Sequence, residues 1–202
     1  MKNFNDLVPL NKIDINIGSV DKEQIDIFVY NRLFEDIMNK YIYSGEDAKE
    51  YNILDVFCTQ SHIKDCLSDK QNVKYTGLDI ISEPEKEGGF SKPDIVCDVN
   101  KMPVKDDTYD LIFSRGDRLG YGKNHGSLFE IERVLKTNGY LIVSLSRFWF
   151  NIGFNQMLFC YRDWRYLEAI EIGYSFEVED ADKKKNIITT SKYFLVYKFY
   201  GK

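Results

Sequence analysis

The chain has 202 residues, of which 44% are hydrophobic and 15% aromatic, so it can bury one core and is expected to form one domain. Its formal net charge of −5 argues against a general affinity for nucleic acid, whose phosphates would repel it. The four cysteines form no C-x-x-C pair and there are only two histidines, so neither a metal site nor a disulfide framework is expected, as is typical of a reducing cytoplasm. No signal-peptide pattern is found, and no apolar run approaches the roughly 18 residues of a membrane span.

The N-terminal part is predicted to contain one helix. Residues 1–18 show no clear period and are expected to be irregular. Asp21, with Gln24 three residues later, is typical of a capping box at a helix start. Apolar residues then recur at helical spacing from Ile25 to Tyr41, which predicts an amphipathic helix over residues 22–42.

From residue 53 onward, strand-like and helix-like segments alternate. The predicted strands are 53–57, 75–79, 94–98, 109–114 and 140–145, followed by a hairpin of 174–179 and 193–199. The predicted helices are 61–69, 126–137 and 156–171, and the proline- and glycine-containing segment 82–93 is predicted to be a loop. This order predicts an α/β fold whose mostly parallel sheet has helices on both faces and an antiparallel C-terminal edge hairpin.

The whole of residues 1–202 is therefore expected to be a single domain. Within it, residues 1–45 form an N-terminal extension and helix, residues 53–146 the core, and residues 147–202 a C-terminal helix and hairpin. Ligands of such sheets bind outside the carboxyl ends of the strands, at the point where the strand order reverses. The residues predicted at those ends are 57–61, 79–81, 98–99, 114–125 and 146–150.

Acidic residues stand at several of these strand ends. Asp79 ends the second predicted core strand, where a carboxylate can accept hydrogen bonds from ribose hydroxyls, and Asp98 ends the third. A further acidic segment leads from Asp106 into the fourth strand, which ends at Ser114. Aspartate is common at strand ends and in turns, so the order and spacing of the set carry more weight than any one member.

Five segments in this order resemble the class I S-adenosylmethionine (SAM)-dependent methyltransferases, in particular the small type 11 domain. The segments are Ile53-Leu-Asp-Val, Tyr75-Thr-Gly-Leu-Asp, Asp94-Ile-Val-Cys-Asp, the run from Met102 to Ser114, and the run from Leu128 to Ser144. The last two are the most specific, because they resemble the family's "lPf-d-sFDlv-s" and "EI-RVLKpGG-l" patterns. The resemblance implies a Rossmann-like sheet of seven strands, in which the first five have the order 3-2-1-4-5 and residues 193–199 lie at the edge.

The resemblance also implies SAM as the cofactor and a set of residues that bind it. Asp79 would hold the ribose, Asp98 and the backbone of Val99 would meet the adenine, and the loop 57–61 would pass the methionine part. Residues after Ser114 would face the methyl acceptor. The full set of expected cofactor-binding residues is Asp55, Phe57, Cys58, Thr59, Asp79, Ile80, Asp98, Val99 and Ser114.

Two departures from the family pattern leave a second hypothesis open. Phe57, Thr59 and Ser61 stand where members usually have the glycines of G-x-G-x-G, and Leu119-Gly120 stands roughly where Glu-His is frequent. A catalytically inactive methyltransferase fold that acts as a partner or regulatory subunit would tolerate these changes. The retained Asp79 and Asp98 favour the enzyme. An NAD-dependent dehydrogenase is disfavoured, because it needs the glycine fingerprint even more.

The segment after the fourth strand is rich in glycine and basic residues. Arg115 and Arg118, with Arg147 after the fifth strand, favour an anionic acceptor, since arginine binds carboxylate or phosphate with two hydrogen bonds. A solvated loop with surface cations is the alternative. His125 is the best candidate general base and Tyr121 a weaker one, although His125 could equally be a surface residue without a role. An acceptor oxygen that is already ionised would need no base.

These observations predict a cytoplasmic SAM-dependent methyltransferase that acts on a small, anionic or phosphorylated metabolite. Oxygen is the favoured target atom, and a precursor of a cell-surface glycan would suit the basic loop. The expected partner is the small-molecule acceptor alone, without nucleic acid, membrane or metal, and the expected assembly is a monomer or homodimer.

Overall fold

A computed structural model describes residues 10–18, 22–42, 50–60, 63–67, 70, 72–82, 92–115, 118–119, 126–145, 163–179 and 185–201. The strands are β1 (Leu10–Gly18), β2 (Tyr51–Val56), β3 (Val73–Asp79), β4 (Ile95–Val96), β5 (Tyr109–Arg115), β6 (Leu135–Leu145), β7 (Trp164–Glu179) and β8 (Lys185–Phe199). The α-helices are α1 (Lys22–Ile37), α2 (Ile63–Leu67) and α3 (Ser127–Val134). A π-turn, Met38–Ile42, continues α1, and a 3₁₀ turn, Cys58–Gln60, follows β2.

The eight strands form one sheet in the order β1-β7-β8-β6-β5-β2-β3-β4. All neighbours are parallel except β8, which runs antiparallel to both β6 and β7. The predicted order of the five core strands is confirmed, since β4-β3-β2-β5-β6 corresponds to 3-2-1-4-5. The α/β class is confirmed as well, with eight strands instead of seven.

Apolar side chains cover both faces of the sheet, as expected for parallel strands buried on each side. Neighbouring residues of β2 point to opposite faces, so Ile53 joins the cluster under α1 and α2 while Leu54 joins the cluster under α3. The periodicity that predicted the first helix is matched by burial, because Val29, Leu33 and Ile37 of α1 are fully buried. Hydrophobic burial on two faces therefore holds β2 and β5 in the centre of the molecule.

Residues 10–18 are not irregular, and the C-terminal hairpin is not the edge of the sheet; residues 1–9 lie outside the described part of the chain. They form β1, which pairs in parallel with β7 and lies outside it. Within β1, Ile13 is buried while Asp14 and Asn16 are exposed, the alternation of a half-buried strand. This short pattern was missed because it covers few residues and contains two asparagines and an aspartate, which disfavour strands.

The prediction of a helix over residues 156–171 was wrong where the structure describes it. Residues 164–171 belong to β7, which continues to Glu179 and pairs with β8 along nearly its whole length. The local sequence Leu167-Glu-Ala-Ile-Glu favours a helix by propensity. Pairing with β1 on one side and β8 on the other overrides that preference, and residues 156–162 lie outside the described part of the chain.

The third predicted helix ends earlier than residue 137. Helix α3 stops at Val134, and Leu135 already pairs with Tyr109 of β5. Asn138 adopts a left-handed φ of 67°, and the Asn-Gly pair lies inside β6, where the pairing with β5 shifts in register, instead of at the helix end.

Candidate active site

The strand order reverses between β2 and β5, and the candidate site lies at the carboxyl ends of these strands. Val56 at the end of β2 pairs with Ser114 near the end of β5. The Ser114 side chain is fully buried, and its Oγ has no hydrogen-bond partner among the described residues. Since buried hydroxyls normally have partners, Ser114 offers a polar group to a ligand at the point where ligands of such sheets bind.

The loop after β2 has a backbone conformation typical of glycine at a position that is occupied by Phe57. Phe57 has a φ of 69°, in the left-handed region that side chains other than glycine rarely adopt. Its ring is only 5% exposed and belongs to the apolar cluster on the α3 face. The Arg118 guanidinium carbon lies 5.7 Å from the centre of that ring. Burial of the ring therefore holds the strained backbone in place.

Cys58 is a packing residue in this structure. A Cβ added to Gly77 of β3 would lie 2.9 Å from the Cys58 sulfur, so β3 and the loop after β2 approach closely at this point. Burial, followed by the charges of Asp55, Asp79 and Asp94, raises the pKa of the Cys58 thiol. The raised pKa favours the neutral thiol, which is the less nucleophilic form.

Asp55 lies inside the fold, on β2, where it is 1% exposed. The Tyr75 hydroxyl of the neighbouring strand donates a hydrogen bond of 3.0 Å to its Oδ2. Burial, together with the charge of Asp55, raises the pKa of the Tyr75 hydroxyl, which keeps it a donor. The buried side chain of Asp55 therefore links β2 to β3 through the hydrogen bond from Tyr75.

Asp79, the predicted ribose ligand, lies at the end of β3 and is fully buried. Its Oδ2 accepts hydrogen bonds from the hydroxyl of Thr59 at 2.5 Å and from the backbone amide of Thr59 at 3.3 Å. Its Oδ1 accepts from the backbone amides of Ile80 at 2.8 Å and Ile81 at 3.3 Å. The carboxylate is therefore engaged entirely by its own chain. The sequence placed Asp79 and Thr59 in one site but did not predict this contact.

The predicted adenine-binding residues follow β4. The Oδ1 atom of Asp98 accepts hydrogen bonds from the backbone amide of Asn100 at 2.9 Å and from its side-chain amide at 2.8 Å. Asn100 in turn accepts a hydrogen bond from the backbone amide of Gly126 at 2.9 Å, which ties this turn to the start of α3. Asp98 is exposed and Val99 is buried. The Ile80 side chain, predicted beside them, is 65% exposed.

A charged cluster joins the two segments whose sequences are most specific. Arg133 of α3 hydrogen-bonds to Glu130 at 2.7 and 2.8 Å, to Asp106 at 2.8 Å, and to the carbonyl oxygens of Met102 and Val104 at 2.9 and 2.6 Å. Glu130 also accepts a hydrogen bond from the Met102 amide. We call this set the Arg133 clamp. Its signal in the sequence was the i, i+3 pair of Glu130 and Arg133, a spacing that places opposite charges side by side on a helix.

The clamp positions β5 by fixing the segment that enters it. The hydrogen bond that Arg133 donates lowers the pKa of Glu130, and the hydrogen bonds that Arg133 donates to Glu130 and Asp106 raise the pKa of Arg133. Both groups therefore remain charged around neutrality. These charges join the two most specific segments before the start of β5, away from the carboxyl ends of the strands where the candidate site lies. This part of the resemblance therefore concerns residues that stabilise the fold.

The acceptor side is described only in part. Arg115 ends β5, and the backbone amide of Arg118 donates a hydrogen bond to its carbonyl oxygen at 3.2 Å. Both side chains are partly exposed, and Arg118 lies over Phe57. The other predicted acceptor-side residues, Tyr121, His125 and Arg147, lie outside the described residues.

The described residues contain neither a membrane-spanning helix nor a cluster of metal-ligand side chains. No described helix is long and apolar enough to cross a membrane. In the same part of the chain, no group of three or more His, Cys, Asp or Glu side chains is arranged to hold a metal ion.

The comparisons with known proteins agree with this geometry. A family model described as a methyltransferase domain matches residues 54–143. A solved SAM-dependent methyltransferase from Methanosarcina mazei is 15% identical, with a TM-score of 0.54, and the match covers 82% of this chain and 98% of that chain. One from Aquifex aeolicus is also 15% identical, with a TM-score of 0.54 and coverages of 89% and 94%.

A third structure has this fold but is described as a different kind of enzyme. The cyclase SpnF is 13% identical, with a TM-score of 0.52 and coverages of 85% and 81%. No curated protein sequence matches the chain. At these identities the solved structures establish the fold, and the reaction has to be argued from the site.

Proposed function

Because the chain belongs to the class I methyltransferase family through its domain at residues 54–143, with SAM as the cofactor, we propose that it transfers the SAM methyl group to a small anionic metabolite. An acceptor oxygen is the favoured target, on a phosphorylated or carboxylated compound such as a glycan precursor.

The observation that carries the proposal is the position of two arginines. Arg115 and Arg118 follow β5 directly, beside the reversal of strand order, in a protein whose net charge is −5. Arg118 reaches the Phe57 ring, so it lies next to the loop that would adjoin the cofactor. A guanidinium can hold a carboxylate or phosphate through two parallel hydrogen bonds, which fixes both the position and the orientation of the acceptor.

The frame of the cofactor site fits SAM, with one exception. Asp79, Asp98 and Val99 lie at or just after consecutive strand ends, and Ser114 supplies a buried hydroxyl that has no hydrogen-bond partner among the described residues. The exception is the carboxylate of Asp79, whose acceptor positions are filled by the chain itself. In the proposed enzyme Asp98, Val99 and Ser114 hold the cofactor, and Asp79 joins them once one of the donors on its carboxylate is displaced.

The bound cofactor supplies an electrophilic methyl group on a sulfonium. The chain's part is then chiefly alignment, since an in-line displacement depends on the nucleophile being held behind the methyl carbon. Arg115 and Arg118 would bind the anionic part of the acceptor. His125 would take the proton from a hydroxyl acceptor and would be dispensable for an oxygen that is already ionised.

The first test is methyl transfer from radiolabelled SAM to a panel of phosphorylated and carboxylated metabolites. With the best acceptor, Arg115→Ala and Arg118→Ala should each raise KM about tenfold, since these arginines are partly exposed and a charge-assisted contact there is worth roughly 1–2 kcal/mol. The affinity for SAM should stay nearly the same. Arg32→Ala, an exposed change on α1, is the matched control and should alter neither constant.

If neutral acceptors are methylated best, or if both arginine variants keep the parental KM, the anionic-acceptor proposal is wrong. His125→Ala adds a further distinction. It should lower kcat by about 10²-fold if the acceptor must lose a proton, and have little effect with an ionised acceptor.

A second candidate function is a partner or regulatory subunit without catalysis. It is favoured by the loop after β2, where Phe57 and Thr59 replace glycines and Thr59 is bonded to Asp79. Calorimetric titration with SAM and its product S-adenosylhomocysteine separates the two functions. Absence of binding by the folded protein would favour the subunit role and contradict the enzyme.

A further inference from the structure

The contact between Thr59 and Asp79 leaves the carboxylate with no position for another donor. A carboxylate has about four lone-pair positions for hydrogen bonds. On Asp79 two are taken at Oδ2 by the hydroxyl and amide of Thr59, and two at Oδ1 by the amides of Ile80 and Ile81. The side chains of both Asp79 and Thr59 are buried, at 0% and 3% exposure.

Among these donors only the Thr59 hydroxyl can leave without a change of backbone. The amide donors at Oδ1 come from the two residues that follow Asp79, so they are fixed by the end of β3. The Thr59 amide is fixed by the 3₁₀ turn that follows Phe57. The hydroxyl, in contrast, moves away from the carboxylate by rotation about χ1 of Thr59.

We propose that Thr59 closes the ribose position of the cofactor site, and that binding of an adenosine ligand exchanges the Thr59 hydroxyl for a ribose hydroxyl on Asp79. This inference rests on the proposed function, because it assumes that SAM binds at these strand ends. Thr59 is then a positioning residue, which sets the affinity for the cofactor through its hydrogen bond to Asp79. Its hydroxyl stabilises Asp79 in the free protein and competes with the ribose.

The exchange has a consequence for affinity. A ribose hydroxyl that replaces another hydroxyl on the same carboxylate gains little, since one charge-assisted hydrogen bond is broken for each one formed. A ribose hydroxyl that meets an available carboxylate gains a bond of about 1.5–3 kcal/mol, which corresponds to roughly ten- to a hundredfold in affinity. Removal of the Thr59 hydroxyl should therefore strengthen binding.

The test is isothermal titration of the full chain with S-adenosylhomocysteine, with circular dichroism to confirm folding. Thr59→Ala removes the competing hydroxyl and should bind about tenfold more tightly or better, whereas Thr59→Ser keeps the hydroxyl and should bind as the parent does. Equal or weaker binding by Thr59→Ala, with clear binding by the parent, would overturn the role of Thr59 and leave the proposed function standing. Absence of binding by all three folded proteins would overturn the proposed function, and the role of Thr59 with it.

A second measurement on the parent protein covers the case in which Thr59→Ala does not fold. Adenosine and 2′,3′-dideoxyadenosine should bind the parent with affinities within about tenfold of each other, because the hydroxyl exchange on Asp79 is nearly neutral. A loss of a hundredfold or more on removing the ribose hydroxyls would overturn the proposal, since it would mean that the hydroxyls meet a carboxylate without displacing Thr59.

Discussion

Two regions of this molecule hold charged side chains that belong to the family pattern, and they differ in what surrounds those charges. In the Arg133 clamp, the guanidinium of Arg133 on α3 donates hydrogen bonds to two carboxylates and to two backbone carbonyl oxygens of the segment before β5. In the loop after β2, Asp79 has no cation beside it among its described hydrogen-bond partners and is satisfied by a hydroxyl and three amides. The clamp keeps the family's residues, whereas the loop has lost its glycines.

The difference separates residues that build the fold from residues that bind. Loss of Arg133 or Glu130 would remove charge-assisted hydrogen bonds between α3 and the segment before β5, so these two residues contribute to stability. The loop accommodates Phe57 and Thr59 at the positions of the family's glycines because of two interactions. Burial of the Phe57 ring offsets the strain of its left-handed φ, and the Thr59 hydroxyl donates a hydrogen bond to the Asp79 carboxylate. Such compensation preserves the backbone shape while changing what the site can accept.

The largest expected effect is at Phe57, where ring burial and backbone strain oppose each other. Phe57→Ala should lower the free energy of unfolding by about 4 kcal/mol, because it removes a buried ring and keeps the left-handed φ. Phe57→Gly should cost about 1 kcal/mol less than Phe57→Ala, because glycine adopts that φ without strain. Urea denaturation measures both. If Phe57→Gly is the less stable of the two, the left-handed conformation at this position is not a source of strain.

The next effect tests the clamp. Arg133→Ala should destabilise the protein by about 2–3 kcal/mol, since it removes hydrogen bonds to two carboxylates and two carbonyl oxygens at a site that is partly exposed. Arg32→Ala removes an exposed i, i+3 ion pair on α1 and should cost less than about 0.5 kcal/mol. Equal losses in the two variants, by thermal or urea unfolding, would show that the clamp is no stronger than a surface pair.

The smallest effect is the pH dependence of the clamp. The pKa of Glu130 lies below its ordinary value of 4.5 in the folded protein, chiefly because of the hydrogen bond from Arg133. A lowered folded-state pKa contributes stability that is complete above the unfolded-state value and is lost as the pH falls through the folded-state value. Relative to the parent, Glu130→Gln should therefore be less stable above about pH 5, by about 1 kcal/mol, and the difference should shrink toward pH 3. A difference that does not change with pH would contradict this assignment.

The core strands and α1 were predictable because their signals are local and periodic. Ile53 and Leu54 lie in a run of apolar residues that only a strand buried on both faces would carry, and Val29, Leu33 and Ile37 repeat at helical spacing. β7 was not predictable in the same way, since residues 167–171 favour a helix until β8 and β1 pair with them. β1 was missed for a similar reason, because β7, the strand with which it pairs, is more than 150 residues away in the chain.

At the candidate site, the sequence located Asp79, Thr59 and Ser114 by their places after strands, and the structure decided how they are used. The missing glycines left a catalytically inactive fold open as a second hypothesis. The left-handed φ of Phe57 and the burial of its ring show that the turn survives the substitution. The Thr59 hydroxyl contacts Asp79 because β2 and β3 lie side by side in the sheet. No local pattern of residues specifies that pairing.

The sequence by itself determined the fold class, because strand-like and helix-like periodicities depend only on neighbouring residues. Five segments in a fixed order carried the resemblance to a family, and that resemblance implied the order of the core strands. The tertiary structure decided the state of the cofactor site and the extent of the sheet. Strand pairing over long separations sets β1 and β7, and the approach of β3 to the loop after β2 brings Thr59 to Asp79. These interactions join residues that are distant in the chain, so their energies become available only when the strands have assembled.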